Sequence, residues 1–370
     1  MPPVADDAIE SLRRNEFTVT RDWAYLDHAT FGPPPASHVR AAMEALKRTS
    51  RDGSGGLNGT ELLESVRAEA AELLHCPPRN VCLLKSTSEG LGLLAEGLGW
   101  SPDDEIVVHE PEFEGCLAPF LNLEARGVRV RPAPDLHDLE RRLTERTRCV
   151  CVSAVDRLTG FRAPLEAIGD LCRARGIWLA LDAAQAMGVL ALDPSALGAD
   201  IVSAHGYKYL FSGFGLAPTY CSDRAITELG VHQAGWKNAR VERGAGGFSL
   251  EFADAAARFE STMSSLPGLA GMRESLRLLN GLDDIERRAL AAAQAIADGL
   301  STRGYELCTP RPDSAIVSAR HPDVPADEIV ETLRTAGVAA AAVEGRLRLS
   351  THFYTTGADV EALLAALSDG

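Results

Sequence analysis

The chain has 370 residues, of which 45% are hydrophobic and 24% are charged, a profile typical of a globular enzyme and not of a disordered chain. Its 37 basic and 52 acidic residues give a net charge of −15, which provides no general electrostatic attraction to nucleic acid or to an anionic membrane. The length favours a large and a small domain over one core, and we expect a small-molecule or protein partner.

The N-terminal stretch and the distribution of apolar residues indicate the compartment. MPPVADDAIESLRRNEF has no basic segment followed by an apolar one, and the sequence has no run of about 18 apolar residues, so we expect a cytoplasmic protein.

The eight cysteines form no Cys-x-x-Cys pair, and several lie in apolar runs where they would pack as small hydrophobes. Cys149 and Cys151 would share a strand face, but two ligands are too few for a metal, and we predict no metal site.

Short apolar runs alternate with amphipathic stretches through the first two thirds of the chain. The runs are nearly continuous in hydrophobicity, as strands are when both faces of their sheet are covered. Amphipathic stretches at 88–98, 115–127 and 164–176 predict helices, the last closed by a glycine after basic residues. The alternation predicts a mostly parallel α/β sheet. The predicted strands are 81–86, 105–111, 128–134, 149–155, 177–184, 199–205 and 216–222.

The pattern changes after about residue 250. Long helical stretches, beginning with ADAAARFESTMSS, are followed by the strand-like runs SAIVSARH and GRLRLSTH and a final helix, which predicts a second, smaller α/β domain. We place the large domain at 17–250 and the small domain at 251–370, with the N-terminal segment 1–16 joined to the small one. The stretches 50–59 and 242–249 are rich in glycine but lack a phosphate-loop pattern, so we predict ordinary loops.

Polar residues at two strand ends are the first indication of a site. In an open α/β sheet, ligands bind at the carboxyl ends of the strands. The strand at 177–184 ends in Asp182, with Gln185 three residues later, and the strand at 199–205 runs into His205 and then Lys208. A desolvated acid needs a cationic partner, which is either Lys208 or a protonated ring nitrogen of a ligand.

Pyridoxal phosphate (PLP) requires this set of residue types. The cofactor needs a lysine for its Schiff base, an acid for its pyridine nitrogen and donors for its phosphate. The stretch STSEG (86–90) follows a strand and opens a helix, so its N–H groups and the hydroxyls of Thr87 and Ser88 would face an anion. A plain helix cap is the alternative for that serine taken alone. Together with Asp182 and Lys208, the stretch predicts a PLP site.

The chain resembles the class V aminotransferase family of fold type I PLP-dependent enzymes, which includes cysteine desulfurases, kynureninases, isopenicillin N epimerase-like proteins and carbon–sulfur (C–S) lyases. The resemblance implies a fold type I transferase, with a mostly parallel seven-stranded sheet in the large domain and a smaller C-terminal α/β domain. It also implies a homodimer with active sites at the subunit interface. The matching segments are YLDHATFGPPP (25–35), TSEGL (87–91), EPEFEG (110–115), SAVDRLTGFRAPLEAIG (153–169), LDAAQAMG (181–188), HGYKYL (205–210), AGW (234–236), AARFES (256–261) and RLRLSTHFYTTGADV (346–360).

The resemblance also implies roles for single residues. Lys208 corresponds to the Schiff-base lysine, and Asp182 to the partner of the pyridine nitrogen. Arg348 corresponds to the arginine that binds the substrate carboxylate, and we add His28 as a second substrate-binding residue. Arg346, on the same strand face, is either solvated or binds a second anionic group. The other predicted cofactor-binding residues are Gln185 near the phenolic oxygen, Thr87, Ser88, Glu89, His205 and Tyr207 around the phosphate, and Phe113, which either stacks on the ring or is a core residue.

Three departures from the family pattern bear on the reaction. Residues 337–348 contain no cysteine where desulfurases carry the persulfide-forming one, and Cys308 lies too far upstream to match. The usual serine–asparagine pair beside the ring oxygen is Ser-Ala at 153–154, which leaves Asp156 as a candidate substitute. The Gly-Thr motif that would bind the neighbouring subunit's phosphate reads STMSS (261–265), so Thr or Ser hydroxyls there are candidates for this role.

These observations lead to a functional prediction. We expect a PLP-dependent enzyme that acts on an amino acid through an external aldimine, with Lys208 as general base. We predict a lyase that cleaves a β-substituent, by C–S β-elimination on a cysteine conjugate, and not a cysteine desulfurase. An aminotransferase or epimerase of the same family is the alternative, and a non-catalytic ligand-binding protein that kept the fold is a remote one.

Overall fold

Strands and helices alternate along most of the chain in a computed structural model that describes residues 6–56, 58–244, 247–309 and 311–367. The strands are β1 (Ala24–Tyr25), β2 (Val81–Leu84), β3 (Glu105–His109), β4 (Arg129–Ala133), β5 (Thr147–Ser153), β6 (Trp178–Asp182), β7 (Ile201–Ser203), β8 (Ala217–Cys221), β9 (Ala239–Gly244), β10 (Gly247–Phe252), β11 (Glu306–Leu307), β12 (Ile316–Arg320), β13 (Val338–Ala339), β14 (Ala341–Val343) and β15 (Arg346–Ser350). The helices are α1 (Asp6–Glu16), α2 (Ala36–Asp52), α3 (Gly59–Leu73), α4 (Thr87–Gly97), α5 (Glu114–Leu121), α6 (Leu165–Arg175), α7 (Asp223–Glu228), α8 (Leu266–Asn280), α9 (Ile285–Ser301), α10 (Ala326–Thr335) and α11 (Gly357–Ala366).

The central sheet has seven strands in the order β2-β8-β7-β6-β5-β3-β4. Strand β8 runs antiparallel to both of its neighbours, and the other pairs are parallel, which confirms the predicted mostly parallel seven-stranded sheet. Along β6, Leu179 and Leu181 pack into one apolar cluster, while Trp178 and Ala180 pack into another. Because successive side chains of a strand point to opposite faces, both faces of the sheet are covered.

A smaller, four-stranded antiparallel sheet has the order β11-β12-β15-β14. The N-terminal segment reaches this part of the molecule, because β1 pairs in parallel with β13. Contacts of the N-terminal segment with the C-terminal part therefore extend past residue 16, and the domain limits 17–250 and 251–370 stay a prediction. None of the helices in the ranges described combines the length and apolarity needed to cross a bilayer.

Two stretches differ from the sequence prediction. The predicted loop at 242–249 belongs to the antiparallel hairpin β9–β10, apart from residues 245 and 246, which lie outside the described ranges. The predicted helix near 253–265 is reduced to one short 3-10 turn, Ala256–Phe259. Ser265 then caps α8, where its hydroxyl oxygen accepts from the N–H of Gly268 at 3.4 Å. Serine favours such a cap over a helix interior because its hydroxyl competes for backbone hydrogen bonds.

A buried ion pair joins the end of this stretch to α3 and β2. The guanidinium of Arg67 contacts both carboxylate oxygens of Glu260, at 2.8 and 3.0 Å, and Lys237 Nζ lies 2.6 Å from the same carboxylate. The N–H of Leu83 also donates to Glu260, at 2.8 Å. Burial alone would raise the pKa of Glu260, but Arg67 and Lys237 outweigh burial and hold it below its usual value.

Candidate active site

The sheet places the ends of β5, β6 and β7 side by side. Ser153 pairs in register with Asp182, which pairs in register with Ser203. The chain continues from β7 to His205 and Lys208, and α4 begins soon after β2, at Thr87. The polar residues predicted from separate strand ends thus converge on one edge of the sheet, as expected for an open α/β fold.

Lys208 lies in a desolvated position. Desolvation lowers the pKa of Lys208 to about 8; the charge of Asp182 opposes this change, and the charges of Arg348 and Arg157 add to it. The loop around Gly32 packs directly on the lysine, since the Gly32 N–H donates to the Tyr207 carbonyl at 2.8 Å. A Cβ atom on Gly32 would lie 1.8 Å from the Lys208 carbonyl oxygen, so only glycine allows this approach.

Asp182 is a buried acid at the end of an apolar strand, with 6% of its surface exposed. Burial raises its pKa to about 6; the N–H of Ala184, which donates to Oδ1 at 2.8 Å, acts against burial, and the negative charge of Glu112 adds to it. Within the described residues, its other carboxylate oxygen is left for a ligand donor. A charged acid held in such a place suits a pyridinium N–H, which supplies the missing cation.

Buried polar atoms without hydrogen-bond partners indicate which other residues of this region can bind PLP. Thr87 Oγ1 and Gln185 Oε1 are buried without a hydrogen-bond partner in the described part of the chain. His205 Nδ1 accepts from the Thr87 N–H at 3.2 Å, which puts the ring hydrogen on Nε2. Burial lowers the pKa of His205 to about 4, so the ring is neutral and its Nε2–H is a donor. A hydroxyl and an imidazole N–H beside a helix N-terminus fit a phosphate, so the residues fit the cofactor.

Two of the predicted phosphate donors are engaged elsewhere. The Ser88 hydroxyl donates to the Gly115 carbonyl at 2.6 Å. The N–H of Glu89 donates to the hydroxyl oxygen of Ser86 at 3.1 Å, and Ser86 is the cap of α4. The Ser86 cap therefore occupies the Glu89 N–H, and the Gly115 carbonyl occupies the Ser88 hydroxyl. Phosphate binding by Ser88 and Glu89 stays a prediction. The free hydroxyl at this helix end belongs to Thr87.

Aromatic residues line the same region. Phe113 has 36% of its surface exposed, which leaves part of its ring free to contact a ligand. Tyr207 stacks on His205, with 4.8 Å between ring centres, and on Phe214, with 4.3 Å. The Lys208 Nζ lies 5.9 Å from the centre of the Tyr207 ring. Stacking of Phe113 on the cofactor and phosphate binding by Tyr207 stay predictions.

Arg348 reaches the site from β15. Its Nη2 donates to Thr30 Oγ1 at 2.6 Å and its Nη1 to the Arg157 carbonyl at 3.1 Å. The carboxylate of Asp27 lies 3.6 Å from Nη2, and Arg348 Nε is buried with no partner among the described residues. An unpaired donor on a guanidinium that is already held in place is what a substrate carboxylate would bind.

His28 is enclosed by protein groups. It is fully buried, with Nδ1 3.0 Å from the Ser350 carbonyl oxygen and Nε2 2.8 Å from the Tyr354 hydroxyl. Burial lowers its pKa to about 4, so the ring is neutral and both nitrogens are used inside the protein. The prediction that His28 binds substrate is therefore corrected: the residue packs the N-terminal segment against the end of β15.

The other candidates also have partners. Asp156 Oδ1 accepts from the Thr159 N–H at 2.7 Å and the Thr159 hydroxyl at 2.6 Å, so this oxygen stabilises a turn. Arg346 Nη1 donates to the carbonyl of Glu344 at 3.1 Å. In the segment 261–265, the Thr262 hydroxyl accepts from the Trp236 indole at 3.3 Å. Its role toward a neighbouring subunit stays a prediction.

Sequence reasoning missed two charged residues. The carboxylate of Glu112 accepts from the Ser153 hydroxyl at 2.6 Å and from the N–H groups of Ser153 and Phe113, both at 2.8 Å. Burial raises its pKa, and these hydrogen bonds act against burial. The second residue, Arg157, contacts the Phe113 ring and Glu344. Both lie in segments that match the family, at positions for which the resemblance implies no role.

Comparisons with known proteins give one consistent result. A profile described as Aminotransferase class-V matches residues 24–363. A relative named probable cysteine desulfurase, from Methanothermobacter thermautotrophicus, is 26% identical over 97% of this chain and 97% of its own length. Another protein of that name, from Streptomyces coelicolor, is 25% identical over 93% of this chain and 91% of its own. A C-DES mutant with glycine covalently linked to its PLP cofactor matches 95% of this chain and 98% of its own, with a TM-score of 0.88 and 22% identity.

These findings confirm the predicted fold type I architecture and the PLP cofactor. They overturn one part of the functional prediction. We excluded a cysteine desulfurase because residues 337–348 lack a cysteine, whereas the relatives that match nearly the whole chain are named probable cysteine desulfurases. The exclusion was wrong because it made the whole reaction depend on one sulfur-accepting residue, while the bond is broken at the cofactor.

Proposed function

Since this chain belongs to the class-V aminotransferase family, we propose that it is a PLP-dependent enzyme that removes sulfur from L-cysteine. One observation carries the proposal: the buried acid Asp182 pairs in register with Ser203, from which the chain runs into Lys208, while Arg348 on β15 has a buried Nε with no partner among the described residues. In the proposed reaction the Cβ–Sγ bond of cysteine breaks, alanine forms, and the sulfur atom passes to a thiol, which becomes a persulfide. The names of the relatives support this choice of substrate.

Four residues of this chain would bind the cofactor, through its aldehyde carbon, its ring nitrogen and its phosphate. Lys208 would bind its aldehyde carbon and Asp182 its pyridine N–H, while Thr87 and His205 would donate to its phosphate. Bound PLP supplies an electron sink that weakens the bonds at the amino carbon of the substrate. Gln185 Oε1 is buried and unpaired among the described residues, and it would accept a hydrogen bond near the phenolic oxygen of the cofactor.

The substrate would be held and deprotonated by two further groups. Arg348 would bind the α-carboxylate, because its planar fork suits two parallel hydrogen bonds. With a pKa of about 8, a sizeable share of Lys208 is neutral near pH 8. Its Nζ can then take the proton from Cα of the substrate and return a proton to Cβ after the sulfur has left.

We propose that the thiol that accepts the sulfur comes from outside the chain. Six of the eight cysteines are buried, and the half-buried ones are Cys76 and Cys308. The thiol of Cys308 lies 3.6 Å from the Ser318 hydroxyl, on the smaller sheet. Residues 337–348 supply no thiol beside Arg348. An external thiol is therefore part of the assay.

We also propose that the enzyme is a cytoplasmic homodimer. On α2, Val39, Met43 and Leu46 are about half exposed, and their spacing of four and three residues places them on one helix face. Apolar stripes of this kind are typical of covered surfaces, and a second copy is the proposed cover. Sedimentation velocity should give about twice the chain mass of 39.5 kDa, and a monomer at micromolar concentration would refute the dimer.

The proposed reaction is tested with PLP-loaded protein, L-cysteine and dithiothreitol. Alanine and sulfide should appear in equal amounts, because dithiothreitol reduces the persulfide and is itself oxidised. No keto acid should be needed. Pyruvate and ammonia in place of alanine would instead indicate elimination, and activity that requires an added keto acid would indicate transamination. Either result would refute the proposal.

A further inference from the structure

A cavity of about 280 Å³ lies at the carboxyl edge of the central sheet, beside the candidate active site. It is formed where β3 and β4 end together, since His109 pairs in register with Ala133, and by the turn that follows β5. The strand order places β3 and β4 on the other side of β5 from Asp182. The polar and aromatic residues around the cavity include His109, Glu110, Asp135, His137, Asp156 and Phe161.

Asp156 is a buried carboxylate of this cavity and has no cationic partner in the described part of the chain. The residue is 6% exposed. Its Oδ1 accepts from the Leu158 N–H at 3.1 Å, the Thr159 N–H at 2.7 Å and the Thr159 hydroxyl at 2.6 Å, whereas its Oδ2 has no hydrogen bond to a described residue. A buried carboxylate is costly unless a cation or donors meet it. The second oxygen of Asp156 therefore favours a positively charged ligand.

His109 is another buried acceptor at the same cavity. The residue is 9% exposed, and neither ring nitrogen has a hydrogen-bond partner among the described residues. Buried polar groups are normally hydrogen-bonded, and a neutral imidazole has one nitrogen that accepts. The Phe161 ring lies between two imidazoles, 6.4 Å from the centre of His109 and 5.9 Å from that of His137. An aromatic face of this kind attracts a cation.

The charge of the cavity is negative. The carboxylates of Glu110 and Asp135 are exposed at its entrance, and none of the described residues that line it is a lysine or an arginine. A metal ion fits these residues poorly, because the described part of the chain has no group of three or more His, Cys, Asp or Glu side chains that could hold one. An organic cation remains, and an ammonium group suits the cavity because it has N–H donors and no acceptor.

We infer that this cavity binds a small protonated amine, with its N–H directed to Asp156 Oδ2 or to the His109 ring and its charge beside Phe161. None of these groups takes part in the proposed reaction, so this ligand site goes beyond the proposed function. The sequence provides it through three separate segments, which follow β3, β4 and β5 and meet only because those strands are neighbours in the sheet.

The test compares three probes of similar shape on the PLP-loaded protein. Trimethylammonium has a charge and one N–H, tetramethylammonium has a charge alone, and tert-butanol is neutral. None of the three can form a Schiff base with PLP, and each is followed by the NMR signal of its methyl groups as protein is added. The wild type should bind trimethylammonium at least about tenfold more tightly than tert-butanol, as expected for a hydrogen bond to a charged group, with tetramethylammonium between them.

Matched variants assign the binding to single groups. Asp156→Asn keeps an oxygen for the Thr159 turn but removes the charge, so trimethylammonium should lose most of its advantage while tert-butanol binds as before. His109→Phe keeps an aromatic ring without an acceptor and should bring trimethylammonium close to tetramethylammonium. Glu110→Gln, at an exposed position, should reduce the advantage in part and tests the site if Asp156→Asn does not fold. Asp138→Asn is the control, because Asp138 does not line the cavity, and it should change nothing.

Four results would overturn the inference. The first is equal binding of trimethylammonium and tert-butanol by the wild type. The second is an equal loss in Asp138→Asn and Asp156→Asn, which would reflect only the net charge of −15. The third is displacement of trimethylammonium by one equivalent of Zn²⁺ that depends on His109, which would indicate a metal site. The fourth is displacement by L-alanine, which would place the amine in the active site.

These measurements record binding alone. Their outcome therefore does not depend on whether L-cysteine yields alanine and sulfide, and the proposed function and the amine site can fail separately.

Discussion

Replacing Asp182 by asparagine should change the ligand-free protein and the holoenzyme in opposite directions. The acid is buried, and its pKa rises from 3.8 to about 6 in the ligand-free protein. Since one pKa unit corresponds to 1.36 kcal/mol, keeping this carboxylate charged at neutral pH costs roughly 3 kcal/mol of folding free energy. Asparagine keeps the shape and the acceptor for the Ala184 N–H but has no charge. The free energy of unfolding of the ligand-free variant should therefore rise by up to about 3 kcal/mol at pH 7.5.

The pH dependence gives the sign of the effect. Between about pH 4 and 6 the folded protein binds more protons at Asp182 than the unfolded chain, so this residue makes stability fall as the pH rises through that window. Below the unfolded pKa the acid is neutral in both states and the advantage of asparagine should vanish. Denaturant unfolding of both ligand-free proteins from pH 4 to pH 8 measures this difference.

The cofactor should respond in the opposite way. Asparagine removes the charged partner of the pyridine nitrogen, and a hydrogen bond to a charged group contributes about 1.5–3 kcal/mol. The dissociation constant of PLP should rise by roughly 10- to 150-fold, measured by titrating the ligand-free protein with PLP. A ligand-free variant less stable than the wild type at pH 7.5, together with an unchanged PLP affinity, would mean that Asp182 has only a structural role.

Three further changes test other parts of the molecule. Borohydride should fix PLP covalently to the wild type but not to Lys208→Ala, and cofactor fixed in the variant would assign the Schiff base to another lysine. Arg348→Lys should weaken amino-acid binding by about 10- to 150-fold, because the ammonium lacks the fork of a charge-assisted contact, while PLP affinity stays the same; equal affinity for amino acids would exclude Arg348 from substrate binding. Glu260→Gln leaves Arg67 buried without its partner and should lower the free energy of unfolding by about 3–5 kcal/mol in a denaturant titration. An unchanged unfolding midpoint would show that Glu64, whose carboxylate lies 2.9 Å from Arg67 Nε, is a sufficient partner for Arg67.

One part of the functional prediction was drawn from a residue that the chain lacks. Lys208, Asp182 and Arg348 were predicted because each combines a residue type with a position that PLP chemistry requires. The exclusion of a cysteine desulfurase relied instead on what residues 337–348 lack, and the comparisons contradict it. Residues that are present constrain the chemistry more strongly than one that is absent, because a sulfur acceptor need not belong to the chain.

The sequence by itself determined the strands of the central sheet and the lysine–aspartate–arginine set. Continuous apolar runs, glycine caps and polar strand ends are local signals, and a run such as 177–184 can be buried in few other ways. Only the tertiary structure decided which neighbours these residues meet. Packing placed His28 against Ser350, which is 322 positions away, and brought Arg157 to Arg348 across 191 positions. No local pattern encodes such a contact, because it depends on how the two sheets and the N-terminal segment pack together.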